Sequence, residues 1–363
     1  MTPIHPLARR LKHGAAISLL LLLIAAVPDS VFAGYFPTAS QVHIADFDGD
    51  GISDVLYPTG DVNRGFEISW SGRDELVTWI NLGEFTQWSL TQYNKYGFGD
   101  FDGNGTEDVF MMYYDDWYIF YSNGRSTPSF YQVRRSLDSA IEGIWVLGFG
   151  EFYKYADEDP EHPRTDVMWF SKSTTNGWQY WRNTGTKDTN AFAGRYALQS
   201  GAYTQFEKKY YELQDFDGDG YTDIFYADGY DWWIADSGRY WQNVRDNVSK
   251  KIDVLGFGYF NANPLNPPAI DIMWFTGSSG WMWWKGTGNI NAWNSGFSGY
   301  YYLYNDDKTD TDSWDYAGFD KTQYNSGDFN GNGLTDIFYS DGKYWYVKYD
   351  EADWWQRING YDW

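Results

Sequence analysis

The sequence predicts an all-β fold: a six-bladed β-propeller of four-stranded antiparallel blades, with seven blades as the alternative. Three observations predict it. An Asp/Gly-rich loop recurs four times. The spacing of those copies leaves room for two further units that lack the loop. Short runs of β-branched and aromatic residues, separated by Gly-rich turns, fill every unit.

The loop reads Asp-x-Asp/Asn-Gly-Asp/Asn-Gly-x-x-Asp, and its copies begin at Asp46, Asp100, Asp215 and Asp328. Oxygen side chains fall at positions 1, 3, 5 and 9, and the two glycines let the backbone wrap inward. Ca²⁺ takes six to eight oxygens in loose geometry, which this spacing can supply. The candidate ligands are Asp46, Asp48, Asp50 and Asp54; Asp100, Asp102, Asn104 and Asp108; Asp215, Asp217, Asp219 and Asp223; and Asp328, Asn330, Asn332 and Asp336. The carbonyls of Ile52, Thr106, Tyr221 and Leu334 at position 7 complete each set. About four Ca²⁺ ions follow, bound most weakly by the last loop, which has two amides in place of carboxylates. These loops are not EF-hands. Position 12 holds Tyr57, Met111, Tyr226 or Tyr339 instead of a bidentate Glu, and the residues after each loop read as strand, as in Asp54-Val-Leu-Tyr57.

The first aspartates are separated by 54, 115 and 113 residues. The second and third gaps are about twice the first, so each hides a unit. Leu147-Gly-Phe-Gly-Glu-Phe152 leads into Thr165-Asp-Val-Met-Trp-Phe170, and Leu255-Gly-Phe-Gly-Tyr-Phe260 leads into Ile270-Asp-Ile-Met-Trp-Phe275. Both keep the flanks of the motif and lose its centre. Within unit one, strands are expected at Val42–Ala45, Val55–Tyr57, Phe66–Trp70 and Leu76–Ile80. One such sheet cannot bury both faces alone; stacking in a ring buries them.

Phe98-Gly-Asp-Phe-Asp-Gly-Asn-Gly105, and Asp271-Ile-Met-Trp274 with Gly280-Trp281 after it, resemble the FG-GAP/VCBS repeat family. That family includes the integrin-α-like calcium-loop propellers. The resemblance covers about residues 40–350. It implies the propeller fold and calcium, and a role in adhesion, lectin-like binding or accessory recognition.

Residues 1–33 have the pattern of a secretory signal peptide: a basic start at Arg9, Arg10 and Lys12, an apolar run from Ala15 to Val27, and a small residue at Ala33. Residues 34–363 then form a single propeller domain, secreted, periplasmic or held at the cell surface. No later segment reads as a membrane span. The formal net charge of −23 disfavours nucleic acid as a partner. There is no cysteine, so calcium would substitute for cross-links.

The chain carries 21 Trp and 32 Tyr, more than one ordinary core requires. Packing between blades accounts for part of the excess. Carbohydrate binding is the functional reading, because sugar C–H faces stack on indole. Trp178, Trp181, Trp232, Trp281 and Trp284 are the candidate stacking residues, since they cluster with polar neighbours in units three to five. No catalytic constellation stands out. Of four histidines, His5 and His13 lie in the leader, and His43 has the pattern of a packed strand residue. The acidic insertion 153–164 reads as a solvated loop tip, and unit five should hold no calcium. The preferred function is a recognition module for an extracellular or cell-surface glycan. A protein-interaction or adhesion module is the first alternative, and a lyase or glycosidase the second.

Overall fold

The structure is a computed structural model describing residues 37–61, 64–82, 96–113, 116–134, 147–152, 163–171, 177–198, 210–248, 250, 252, 255–260, 269–275, 281–302, 324–349 and 355–360. Residues 1–33, expected to be a signal peptide, His162 and most of the insertion 153–164 lie outside these residues. Among the described residues there is no α-helix, and the strands form six four-stranded sheets. No described helix is long and apolar enough to cross a membrane.

Blade one holds β1 (His43–Ala45), β2 (Asp54–Pro58), β3 (Phe66–Ser69) and β4 (Val77–Ile80). Blade two holds β5 (Tyr96–Gly99), β6 (Asp108–Tyr113), β7 (Asp116–Asn123) and β8 (Ser126–Arg134). Blade three holds β9 (Leu147–Gly150), β10 (Asp166–Trp169), β11 (Gln179–Asn183) and β12 (Phe192–Ala197). Blade four holds β13 (Tyr211–Gln214), β14 (Asp223–Ala227), β15 (Trp232–Asp236) and β16 (Tyr240–Arg245). Blade five holds β17 (Gly256–Gly258), β18 (Asp271–Phe275), β19 (Trp281–Gly286) and β20 (Phe297–Tyr302). Blade six holds β21 (Tyr324–Gly327), β22 (Asp336–Ser340), β23 (Tyr344–Lys348) and β24 (Gln356–Gly360). Strand order follows chain order in every blade. The two units without a loop are therefore complete blades.

Each blade buries both faces against its neighbours. Among the described residues, one apolar cluster fills each of the six seams. Phe66 and Val109 meet between blades one and two, Trp117 and Trp181 between two and three, and Trp178 and Ile224 between three and four. Trp232 and Phe297 meet between four and five, Trp281 and Ile337 between five and six, and Trp345 and Val55 between six and one. The last cluster closes the ring, and among the described residues no strand is exchanged between blades.

Strand registers place Trp117, Trp178, Trp232, Trp281 and Trp345 at one equivalent position in blades two to six, with Phe66 in blade one. All six rings are buried, each in the seam with the next blade. A large flat ring at this point fills the wedge between twisted sheets.

A backbone bond repeats at the seams. At five of the six seams, the residue before the buried ninth-position Asp donates its N–H to the first loop position of the preceding blade. Glu107 reaches the Asp46 carbonyl (3.0 Å), Thr165 reaches Asp100 (2.7 Å), and Thr222 reaches Glu151 (2.6 Å). Thr335 reaches Tyr259 (2.7 Å), and Ser53 reaches Asp328 across the closing seam (2.6 Å). Glu151 and Tyr259 thus keep the backbone role of a loop aspartate without its side chain. In return, the Thr222, Thr335 and Ser53 hydroxyls accept from the N–H groups of Glu151, Tyr259 and Asp328 at 2.8–2.9 Å.

This contact explains the glycine that ends the first strand. A Cβ on Gly150 would lie 2.5 Å from the Thr222 hydroxyl oxygen, and one on Gly258 would lie equally close to Thr335. Gly150→Ala should therefore lower stability by about 1–3 kcal/mol, the usual cost of overpacking. Adding Thr222→Ala should recover part of that loss. Urea unfolding of both variants checks this; an unchanged midpoint for the single variant would remove the steric explanation.

Candidate functional site

The loop at the start of blade one is an array of backbone-to-carboxylate bonds. Asp46 accepts from Gly49 N–H (2.7 Å) on one oxygen and from Gly51 N–H (2.9 Å) on the other. Asp50 accepts from the N–H of Ile52, which turns the chain at position 7. The other loops repeat this. Asp100 accepts from Gly103 and Gly105, Asp215 from Gly218 and Gly220, and Asp328 from Gly331 and Gly333. Asn104, Asp219 and Asn332 hold the N–H groups of Thr106, Tyr221 and Leu334. Both loop glycines have positive φ in every copy, for instance 78° at Gly49 and 81° at Gly51. Each loop begins where a first strand ends, so topology brings all four to one end of the ring.

Three of the loops gather carboxylates closely enough for one cation. Ligand oxygens of Asp46, Asp48 and Asp50, of Asp100, Asp102 and Asp108, and of Asp215, Asp217 and Asp223 lie within 4.8 Å of one another. The fourth loop places Asp328 with the amides Asn330 and Asn332.

Asp54, Asp108, Asp223 and Asp336 at position 9 are fully buried, and so are Asp166 and Asp271 in the blades without a loop. One oxygen accepts the N–H of the phenylalanine at position 2: Phe47 to Asp54 (2.9 Å), Phe101 to Asp108 (2.8 Å), Phe216 to Asp223 (2.9 Å) and Phe329 to Asp336 (2.8 Å). Phe152 and Phe260 do the same for Asp166 and Asp271. The other oxygen accepts an N–H from the end of the third strand: Ser71, Ser122, Asn183, Ser237 or Gly286. In blade six the equivalent donor, residue 350, lies outside the described residues. The ninth aspartate therefore has a structural task in every blade, whether or not an Asp/Gly-rich loop precedes it.

Burial pushes these carboxyls up: Asp54 to about 7, Asp108 to about 8 and Asp223 to about 9. Asp217 is pushed to about 7, first by burial and then by the Asp219 charge. Two accepting oxygens are the pattern of an ionised carboxylate. Burial opposes that state, and a nearby cation favours it.

The first two loops already receive organic cations from the following blade. Arg125, in the β7–β8 turn, places Nε 2.6 Å from an Asp48 oxygen, and Lys187 of blade three places Nζ 2.7 Å from Asp102. Neither residue was expected from the sequence, because nothing in a linear chain pairs a hairpin tip with a loop 77 or 85 residues earlier.

The tryptophan expectation needs correction. Trp178, Trp181, Trp232 and Trp281 are buried in the seams, at 5%, 2%, 0% and 1% exposure, and present no broad face for stacking. Trp178, Trp232 and Trp281 occupy the repeated wedge position. Its recurrence at Trp117 and Trp345 was the sequence signal for packing. Trp284 is half-buried, lies 3.9 Å under the Arg245 guanidinium, and stacks on Trp274 (6.0 Å, 24°).

A cavity of about 460 Å³ opens where Trp181 comes to the rim. Arg134, Trp181, Phe192, Gly194 and Arg195 line it, in the seam between blades two and three. The Arg134 guanidinium lies 5.3 Å from the ring centroids of both Trp117 and Trp181, and its Nη1 donates to the Phe192 carbonyl (3.3 Å). Trp181 stacks on Trp169 (6.2 Å, 25°), and Arg195 sits over Trp169 at 5.8 Å. A second cavity of about 470 Å³ lies among the inner strands. His43, Glu212, Gln214, Asn325 and Ser326 are among its lining residues. His43 stacks on Phe98 at 3.6 Å and lies 3.5 Å from Glu107, a packed position.

No protein-family model matches this chain, and no curated protein is significantly similar to it. Among solved structures, it is similar to an Agrocybe aegerita lectin described as specifically recognising non-reducing terminal N-acetylglucosamine. The TM-score is 0.51 at 15% identity, covering 90% of this chain and 92% of the lectin. A Photorhabdus luminescens Tc holotoxin pore matches with a TM-score of 0.45 at 14% identity, over 73% of this chain and 12% of the toxin. At 15% identity the likeness to the lectin shows the fold alone.

The raised carboxyls fix the sign of the pH dependence. Between the ordinary Asp value of 3.8 and about 7–9, the fold holds protons that the unfolded chain has released. Stability without divalent cations should therefore fall as pH rises from 5 to 9. Thermal melts in chelator across that range check it; a metal-free melting temperature that rises with pH would contradict it.

Proposed function

We propose that this protein is a secreted, calcium-binding propeller of the FG-GAP/VCBS type, and that it recognises extracellular or cell-surface carbohydrate. Calcium would be held by Asp46, Asp48 and Asp50 in blade one, by Asp100, Asp102 and Asp108 in blade two, and by Asp215, Asp217 and Asp223 in blade four. Asp328, Asn330 and Asn332 would form the weakest site. Their donors are all hard oxygens, which suit Ca²⁺. The ion would neutralise carboxylates that burial and mutual repulsion otherwise keep protonated, and would fix loops already shaped by their glycines.

The observation that carries the carbohydrate reading is the seam cavity. Its described lining brings the side chains of Arg134 and Arg195 together beside the buried rings of Trp181 and Phe192. Sugar-binding clefts place polar groups beside apolar walls in this way. The likeness to a propeller lectin supports the same reading at the level of the fold. The apolar leader supports export.

A glycan array run in calcium and in excess EGTA tests this reading. Selective glycan retention in calcium is expected, with weaker retention in EGTA. No retention on any glycan by folded, metal-loaded protein would overturn it. Chelation should also lower the melting temperature, because a metal at 100 times its Kd stabilises the fold by about 2.7 kcal/mol. An unchanged melt of protein shown beforehand to contain calcium would refute that role.

A further inference from the structure

We propose that the rim between blades four and five is a stacking site for a neutral pyranose sugar. Trp293 is its platform and Asp246 its hydroxyl acceptor. The proposal rests on the carbohydrate reading above and adds a contact away from the cavity between blades two and three.

The first argument is exposure. Trp293 is 64% exposed, and among the described residues no other tryptophan is exposed. A broad face of the indole therefore stays in solvent. The ring lies in the turn Thr287–Gly296, between β19 and β20. The Thr287 N–H closes that turn on the Gly296 carbonyl (3.0 Å), as the Thr184 N–H closes the blade-three turn on the Ala191 carbonyl (2.7 Å). The blade-three turn is two residues shorter and has no aromatic residue. Trp293 is thus needed neither to close the turn nor to fill a seam.

The second argument is preorganisation. Ile290, in the same turn, is buried in the apolar cluster between blades four and five. The Asn294 N–H donates across that seam to the Asn243 carbonyl (3.0 Å), and the Gly296 N–H donates to the Val244 carbonyl (3.2 Å). In return, the Asp246 N–H donates to Asn294 Oδ1 (3.2 Å). The indole itself is fixed. Its Nε1 donates to Asp246 Oδ2 (3.1 Å), and its ring stands perpendicular to half-buried Trp233 (6.3 Å, 90°). A platform held in place before the ligand arrives loses little freedom on binding.

The third argument is chemistry. Among the described residues four non-glycines have positive φ, and two of them directly follow the proposed contacts. Asn294, at 55°, follows Trp293, and Asn247, at 58°, follows Asp246. Backbone in this region gathers where side-chain placement serves a site. A pyranose has an apolar C–H face for the indole and hydroxyls for the polar groups beside it. Asp246 can accept a hydroxyl on Oδ1, and the Asn247 side chain next to it is exposed. A carboxylate at the platform, on a chain of formal net charge −23, disfavours an acidic sugar and leaves a neutral one.

A glycan array bearing neutral, sialylated and sulfated oligosaccharides tests this, probed with the full metal-loaded chain over a concentration series. Retention on neutral glycans is expected. Trp293→Ala should weaken the apparent Kd by about tenfold with an unchanged melting temperature. Trp293→Phe keeps a flat ring and should recover most of that loss. In the wild-type chain, the retained neutral glycan should protect Trp293 from oxidation by N-bromosuccinimide, read by peptide mass spectrometry, a readout independent of the variant's folding. Retention on acidic glycans alone would overturn the neutral-sugar site. Neutral-glycan retention unchanged in folded Trp293→Ala, or Trp293 oxidised equally with and without the glycan, would overturn its location. Either result leaves the carbohydrate reading standing. An empty array would remove both proposals.

Discussion

The structure depends on a buried carboxylate repeated six times. In each blade the ninth-position aspartate accepts the N–H of the loop phenylalanine, and in five blades an N–H from the end of the third strand is found on its other oxygen. An unpaired buried N–H costs about 1–3 kcal/mol, so one side chain that satisfies two of them joins three segments of the blade. At five seams the neighbouring residue then bonds to the preceding blade, and where the first strand ends at Gly99, Gly150, Gly258 or Gly327 the glycine leaves room for it. The loop, the seam and the ring are built outward from this carboxylate. The Asp/Gly-rich loops are added to a frame that blades three and five complete without them.

That division explains why the fold was so legible. The recurring Asp/Gly-rich loop, the hidden units after Leu147 and Leu255, and the four strands of blade one all describe local chain geometry, which a repeat displays openly. Strand ends agree within a residue or two: Val42–Ala45 became His43–Ala45, and Leu76–Ile80 became Val77–Ile80. The ninth aspartate was legible as an oxygen donor but not as a structural one. Its partners, such as Ser122 and Asn183, lie 14 and 17 residues away, across two strands.

The candidate binding surface was less legible, for a related reason. In a propeller both sheet faces are buried, so the alternation that separates core from surface in an open sheet gives no contrast. Trp178 and Trp181 look alike in sequence, yet Trp178 fills the seam with blade four and Trp181 packs into the seam with blade two. Arg134 gives no linear signal either, because its partners Trp181 and Phe192 belong to the next blade. Seams are where such combinations arise, since each brings together residues some 50 positions apart.

The most direct test is Asp166→Ala in blade three, which has no Asp/Gly-rich loop. Chemical denaturation should be measured with calcium and with chelator. A structural carboxylate predicts a loss of about 2–6 kcal/mol, from the two stranded N–H groups of Phe152 and Asn183, of the same size in both conditions. A wild-type midpoint, or a loss seen only in calcium, would contradict the account.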